Sequence, residues 1–190
     1  MAEAPILRTQ RLVLRAHRLE DFAAMAAMYS EPDTVRFIGA GESLSQEVVW
    51  SRLQRAVGAW LMLGYGFLVI EHAASGQVIG EAGFLERFAP ARERRTPEAG
   101  WALVTSALGQ GYAGEAMAAI LAWGDERFER TTCVISRENA RSIALGLRLG
   151  YREVGVEPPP PDWTGPDFLR FERERPAGAP GRSSVRSPAI

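Results

Sequence analysis

The chain has 190 residues, 46% apolar, 24% charged and 9% aromatic, so it is long enough for one domain with its own core and too apolar to be disordered throughout. Its 22 basic residues are all arginine and meet 23 acids, a net charge of −1 that argues against a nucleic-acid or membrane-surface field. The absence of lysine excludes a P-loop and a lysine Schiff base.

A single cysteine, Cys133, rules out a disulfide framework and suits a reducing cytosol, so a cytoplasmic location is expected. Residues 1–5 lead into arginines with no apolar stretch behind them, and no signal peptide is expected. The uncharged run 56–70 is 15 residues broken by Gly58, Gly64 and Gly66, too short to span a bilayer. His17 and His72 stand far apart without Cys or carboxylate clusters at ligand spacing, so no metal site is expected.

In chain order, residues 12–14 read as an opening strand. Phe22, Met25, Ala26 and Tyr29 mark one face of a first helix that stops before Pro32. Ser43 or Ser45 caps a second helix, whose Val49, Leu53, Ala56, Val57 and Trp60 repeat the spacing until Gly64 and Gly66 break it. Three β-rich runs, 67–71, 77–85 and 98–104, follow as an antiparallel meander. A glycine-rich loop, 109–114, opens a helix carrying Met117, Ile120, Leu121, Gly124 and Phe128 on one face. Then come a β-branched strand at 131–135, a short helix at 139–149, and closing strands at Val154 and 168–171 around the proline-rich loop 158–161. The expected fold is mixed α/β with a mostly antiparallel sheet and one late β-helix-β passage. We read residues 1–175 as a single domain and 176–190, rich in Ala, Gly, Pro, Ser and Arg, as a disordered tail.

Gly109, Gly111 and Gly114 form a literal G-x-G-x-x-G, the fingerprint of dinucleotide-binding folds. The context argues against a nicotinamide oxidoreductase: residues 105–108 separate the loop from its strand, and Glu129 precedes the next strand instead of ending it. A strand, a glycine loop and a helix N-terminus nevertheless make a pyrophosphate cradle of backbone N–H groups, with glycine permitting close approach and positive φ. Glu115, in the first helical turn, must then turn away from the phosphates.

The stretch Glu98-Ala99-Gly100-Trp101-Ala102-Leu103, five residues, then Gly109-Gln110-Gly111-Tyr112-Ala113-Gly114-Glu115-Ala116, resembles the acetyl-CoA motif of the GNAT N-acetyltransferases. Asn139-Ala140-Arg141-Ser142 followed by Leu145, Arg148, Leu149, Gly150 and Tyr151 is similar to the second motif of its RimJ/RimL-like ribosomal-protein branch, and residues 8–15 with 19–21 match that branch's opening strand and helix. The resemblance covers roughly residues 6–155 and implies a sheet splayed at the acetyl-CoA site.

It also implies transfer of acetyl from acetyl-CoA to a primary amine, either a protein N-terminus or a small molecule. An amine with a pKa near ~8–10 must lose a proton before it attacks, and Glu98 stands where many members carry the general base. An ion pair with Arg92, Arg94 or Arg95 is the alternative role for this carboxylate. Glu98, Gly100 and Ala102 alternate onto one face, a groove floored by small residues. The resemblance assigns backbone N–H groups around Leu103 and Val104 to pantetheine pairing and the developing oxyanion, and Gly109, Gln110, Gly111, Tyr112, Ala113 and Gly114 to the pyrophosphate. Asn139 and Ser142 would face the cofactor arm, with Asn139 equally suited to cap its own helix. Arg148 could meet a CoA phosphate, but a solvated arginine near the helix C-terminus is the favoured reading.

Gly146 stands where many members have a tyrosine general acid, so Ser142, a water or unaided departure of the thiolate must replace it. The acceptor is expected near 31–43 and 158–167, where Asp33, Glu42, Asp162 and Trp163 would favour a cationic amine. A monomer or homodimer is expected, with no nucleic-acid or membrane partner. A CoA-binding regulatory module without turnover is the rival reading.

Overall fold

A computed structural model describes residues 3–38, 41–86, 96–157 and 167–178. Eight strands form one sheet in the order β1-β2-β3-β4-β5-β6-β8-β7. They are β1 (Leu7–Arg8), β2 (Leu12–Arg15), β3 (Phe67–His72), β4 (Val78–Leu85), β5 (Glu98–Leu103), β6 (Arg130–Ser136), β7 (Arg152–Glu157) and β8 (Phe168–Glu174). Every neighbouring pair is antiparallel except β5 and β6. One parallel pair in eight strands is incompatible with the doubly wound parallel sheet of dinucleotide-binding enzymes.

The helices are α1 (Phe22–Ser30), α2 (Pro32–Val35), α3 (Gln46–Leu63), α4 (Tyr112–Asp125) and α5 (Ala140–Arg148). Ser45, rather than Ser43, caps α3 by accepting from Val48 N–H at 3.3 Å, and Gly64 ends it in the left-handed conformation. The meander and both later helices lie where the hydrophobic periods put them. Two elements add to that outline: the two-residue β1 and the single-turn α2, too short for a period to register.

The helices cover both faces of the sheet. On one face α4 buries Met117, Ile120 and Leu121 in the larger core with Leu14, Ile70, Phe84 and Phe171. On the other, Met25, Met28, Tyr29, Val35 and Val49 of α1, α2 and α3 form a second cluster. Two ion pairs and one hydrogen-bonded pair lie within this apolar frame. Arg15 meets Asp21 at 2.8 Å, Arg173 meets Asp125, and Glu81 meets His17 at 2.9 Å. No helix among the described residues is long and apolar enough to cross a membrane. The proline-rich loop 158–161 and the chain from 179 onward lie outside the described residues, as do Arg92, Arg94, Arg95, Asp162 and Trp163.

Candidate active site

β5 and β6 are bridged only at Glu98 and Thr132, where Thr132 N–H donates to Pro97 O at 3.0 Å. Beyond that point the two strands part, and a cleft of about 1520 Å³ opens between them. The β4–β5 register decides which backbone groups face it. Val104 N–H donates to Ile79 O at 3.0 Å, and antiparallel alternation then turns the N–H groups of Gly100 and Ala102 toward β4 as well. The N–H groups of Trp101 and Leu103 face the gap. Of the two residues the resemblance names, Leu103 turns its N–H to the gap while the Val104 N–H is engaged in the sheet, and the other N–H facing the gap is that of Trp101.

The glycine loop closes one end of the cleft. Gly109 (φ 76°) and Gly111 (φ 81°) hold left-handed conformations, and Gly111 is the residue from which α4 starts. Gly114 differs from expectation, since it lies within the helix with an ordinary φ. Gln110 turns its side chain to Ser106 O at 2.8 Å, while its carbonyl accepts from Arg11 Nη1 at 3.0 Å. A trans peptide points its C=O and N–H in opposite directions, so Arg11 fixes the Gly111 N–H away from the β1–β2 edge. Tyr112, Ala113 and Gly114 line the cleft beside that N–H.

Glu115 would repel a phosphate at this helix end, and three donors restrain it. Its carboxylate accepts from Thr9 Oγ1 at 2.5 Å, Arg11 N–H at 2.8 Å and Arg11 Nε at 2.7 Å. Burial acts to raise this carboxyl, but Thr9 and Arg11 outweigh it and hold it below the usual range. The Arg11 guanidinium also stacks on Tyr112, 4.5 Å from the ring centre.

The opposite wall is α5. Asn139 caps it by accepting from Ser142 N–H at 3.1 Å, and both residues line the cleft. Ser142 Oγ accepts from the Trp101 indole N–H at 3.3 Å, which joins β5 to α5 across the opening and leaves the hydroxyl proton to donate. Arg148 reaches the same cleft, and Gly146, buried in α5, presents no side chain to it.

Glu98 is buried at the apex where β5 meets β6. It is not itself among the lining residues, but Leu85, directly opposite it on β4 and on the same face, is. The small-residue floor is partly roofed: a Cβ on Gly100 would fall 2.8 Å from the tip of Phe67, so this glycine admits the Phe67 ring. Cys133 borders the cleft but is 1% exposed, and burial together with the nearby Glu98 charge pushes its thiol up.

On the side where the acceptor is expected, Glu31 of the α1–α2 junction accepts from Thr105 N–H at 3.0 Å and from Thr34 Oγ1 at 3.0 Å, tying α2 to the end of β5. Asp33 lines the cleft, whereas Glu42 does not. Beneath them lies a group that periodicity did not single out: Glu81 on β4 accepts from His17, Tyr29 and Arg52. Its trace in the sequence is one acid within the apolar run of β4. Among the described residues no cluster of His, Cys, Asp and Glu could hold a metal.

A sheet opened beside a glycine-rich helix N-terminus makes a cleft suited to a long ligand with a phosphate at one end. The family described as "Acetyltransferase (GNAT) domain" matches residues 11–152, and the chain belongs to it. Acetyl-CoA is the acetyl donor of this family. The uncharacterized N-acetyltransferase YoaA of Bacillus subtilis is 27% identical over 154 residues, 80% of this chain and 85% of YoaA. A structure from Bordetella pertussis, described as a GnaT-family acetyltransferase, is 33% identical and covers 88% of this chain and 98% of its own, with a TM-score of 0.76. RimL, the ribosomal L7/L12 alpha-N-protein acetyltransferase solved with coenzyme A, shares the fold at a TM-score of 0.74 and 18% identity, over 90% of this chain and 98% of that one.

Proposed function

We propose that this acetyltransferase moves the acetyl group directly onto a primary amine, a protein N-terminus or a small molecule, with no acyl-enzyme. The carrying observation is the parting of β5 from β6 just past Glu98, which aims the Trp101 and Leu103 N–H groups into a gap ending at the glycine loop. The residues present suit acetyl-CoA. Gly109, Gln110, Gly111, Tyr112, Ala113 and Gly114 receive the pyrophosphate, with Glu115 neutralised by Arg11. Trp101 and Leu103 pair with the pantetheine arm, flanked by Asn139 and Ser142. The opening strand and the Asn139-to-Ser142 motif favour the RimJ/RimL-like branch, and the lone buried thiol suits the cytosol.

In the reaction the ammonium form of the acceptor gives up a proton through water to Glu98. The freed amine then attacks the thioester carbonyl, so that a C–N bond forms and the C–S bond breaks. The backbone N–H groups of the gap stabilise the oxygen as charge develops on it. The attacking nitrogen loses its second proton to water, and Ser142 hands a proton to the departing thiolate, recovering one from solvent. Cys133 is too buried to serve as an acyl carrier.

The test is acetyl-CoA binding by calorimetry with NAD in parallel, followed by thiol release over a panel of amines. Saturable acetyl-CoA binding with amine-dependent thiol release is the expected result. Binding without release from any amine would instead support a regulatory module, and NAD binding in place of acetyl-CoA would overturn the donor site.

A further inference from the structure

The buried group on the acceptor side has no part in the transfer as described, yet its members are closely fixed. Glu81 is 4% exposed and sits in register with Ala102, so its side chain lies on the acceptor face of β5. It accepts from His17 Nε2 at 2.9 Å, from the Tyr29 hydroxyl, and from Arg52 Nη2 at 3.3 Å. Arg52 Nη2 also donates to the Tyr29 oxygen at 2.8 Å, and the guanidinium lies over the Tyr29 ring, 4.6 Å from its centre. Held on α3 by these contacts, Arg52 has one orientation rather than many.

A guanidinium carries five N–H donors, and only Nη2 is engaged here. Nε is buried without a partner, and Nη1 has none among the described residues. Arg52 is a wall residue of the cleft, its side chain 28% exposed. A fixed cation with free donors beside a reacting centre is the arrangement that receives a carboxylate. The other charges on this wall are Asp33 and Arg36, both exposed at the rim, where they offset one another. Glu81, the acid that Arg52 contacts, already accepts from three donors.

We infer that the acceptor is an amine carrying a carboxylate close to its nitrogen, and that Arg52 binds this carboxylate through Nη1. The inference rests on the proposed transfer to an amine. It replaces the cationic acceptor that the acidic residues of the loops suggest. Two sources share the chemistry: a free amino acid, or a peptide whose first residue is Asp or Glu. In either, the carboxylate on Arg52 turns the amine toward the thioester and away from the guanidinium.

The experiment measures thiol release with matched acceptors: amino acids against their carboxamides, and peptides beginning with Asp or Glu against the same peptides beginning with Asn or Gln. It is run on the parent enzyme and on Arg52→Lys and Arg52→Gln, with acetyl-CoA affinity as the check on folding. Arg52→Lys keeps a cation for Glu81 but lacks the second donor edge. The parent should prefer the carboxylate member of one series by roughly 10- to 100-fold in kcat/KM, the ratio expected of one charge-assisted hydrogen bond. Both variants should lose most of that preference while binding acetyl-CoA as the parent does. The series that shows the preference identifies the source. Equal or better turnover of the amides, or a preference that survives in both variants, overturns the inference alone. Acetyl-CoA binding with no release from any amine overturns the transfer reading beneath it.

Discussion

Arg11 carries out three tasks at once: it pairs with Glu115, holds the Gln110 carbonyl and covers Tyr112. Removing it frees an anion in the first turn of the helix proposed to receive the pyrophosphate and unpins the peptide that presents Gly111 N–H. Arg11→Ala is therefore expected to weaken acetyl-CoA binding by roughly tenfold. Turnover of acetyl-pantetheine, which has no pyrophosphate, should stay unchanged, and steady-state kinetics on the two donors measures the contrast. Cys133 offers a second check at this scale. Burial keeps its thiol protonated, so an alkylating reagent at neutral pH should label it only after denaturation, which mass spectrometry would read out.

At the scale of elements, the functional asymmetry comes from β5, which keeps β4 along its whole length but β6 at one position only. The glycine loop was legible because two of its residues need positive φ, a demand that sequence writes as glycine. Gly111→Ala should therefore lower stability by about 1–2 kcal/mol, measured by denaturant unfolding, and weaken acetyl-CoA binding as well. The direction of individual N–H groups was not legible. Leu103 and Val104 are neighbours, and only pairing register separates the one facing the cleft from the one held by Ile79. The Glu81 group was hidden for a related reason: His17, Tyr29, Arg52 and Glu81 come from four separate segments, and only the fold brings them together. Arg11 stood in a motif that named the branch, but its contact with Glu115 spans 104 positions.

For the whole molecule, the buried carboxylates Asp21 and Glu81 predict its response to acid. Burial acts to raise the carboxyls of Asp21 and Glu81, yet Arg15 for the first and His17 with Arg52 for the second hold them below their ordinary values. A carboxyl lowered by folding stabilises the native state above its unfolded value, roughly pH 4, and loses that contribution as pH falls through the folded value. Thermal unfolding followed from pH 7 downward should thus show little loss from these groups until about pH 4 and a steep decline below it. Arg15→Ala should lower stability at neutral pH and flatten the decline below about pH 4, because it removes the main partner that holds the Asp21 carboxyl down.

In the proposed reaction donor binding belongs to the glycine loop and the edge of β5, and proton removal to Glu98 at the apex of the opening. Glu98→Gln keeps the shape of the side chain and removes only its capacity to take a proton. The most direct measurement is single-turnover thiol release by this variant with a competent amine, together with its acetyl-CoA affinity. Release about 100-fold slower or more, with affinity within about twofold of the parent, is the expected result. Release at the parent rate would contradict the assignment of Glu98 as the base and move the proton acceptor elsewhere in the cleft.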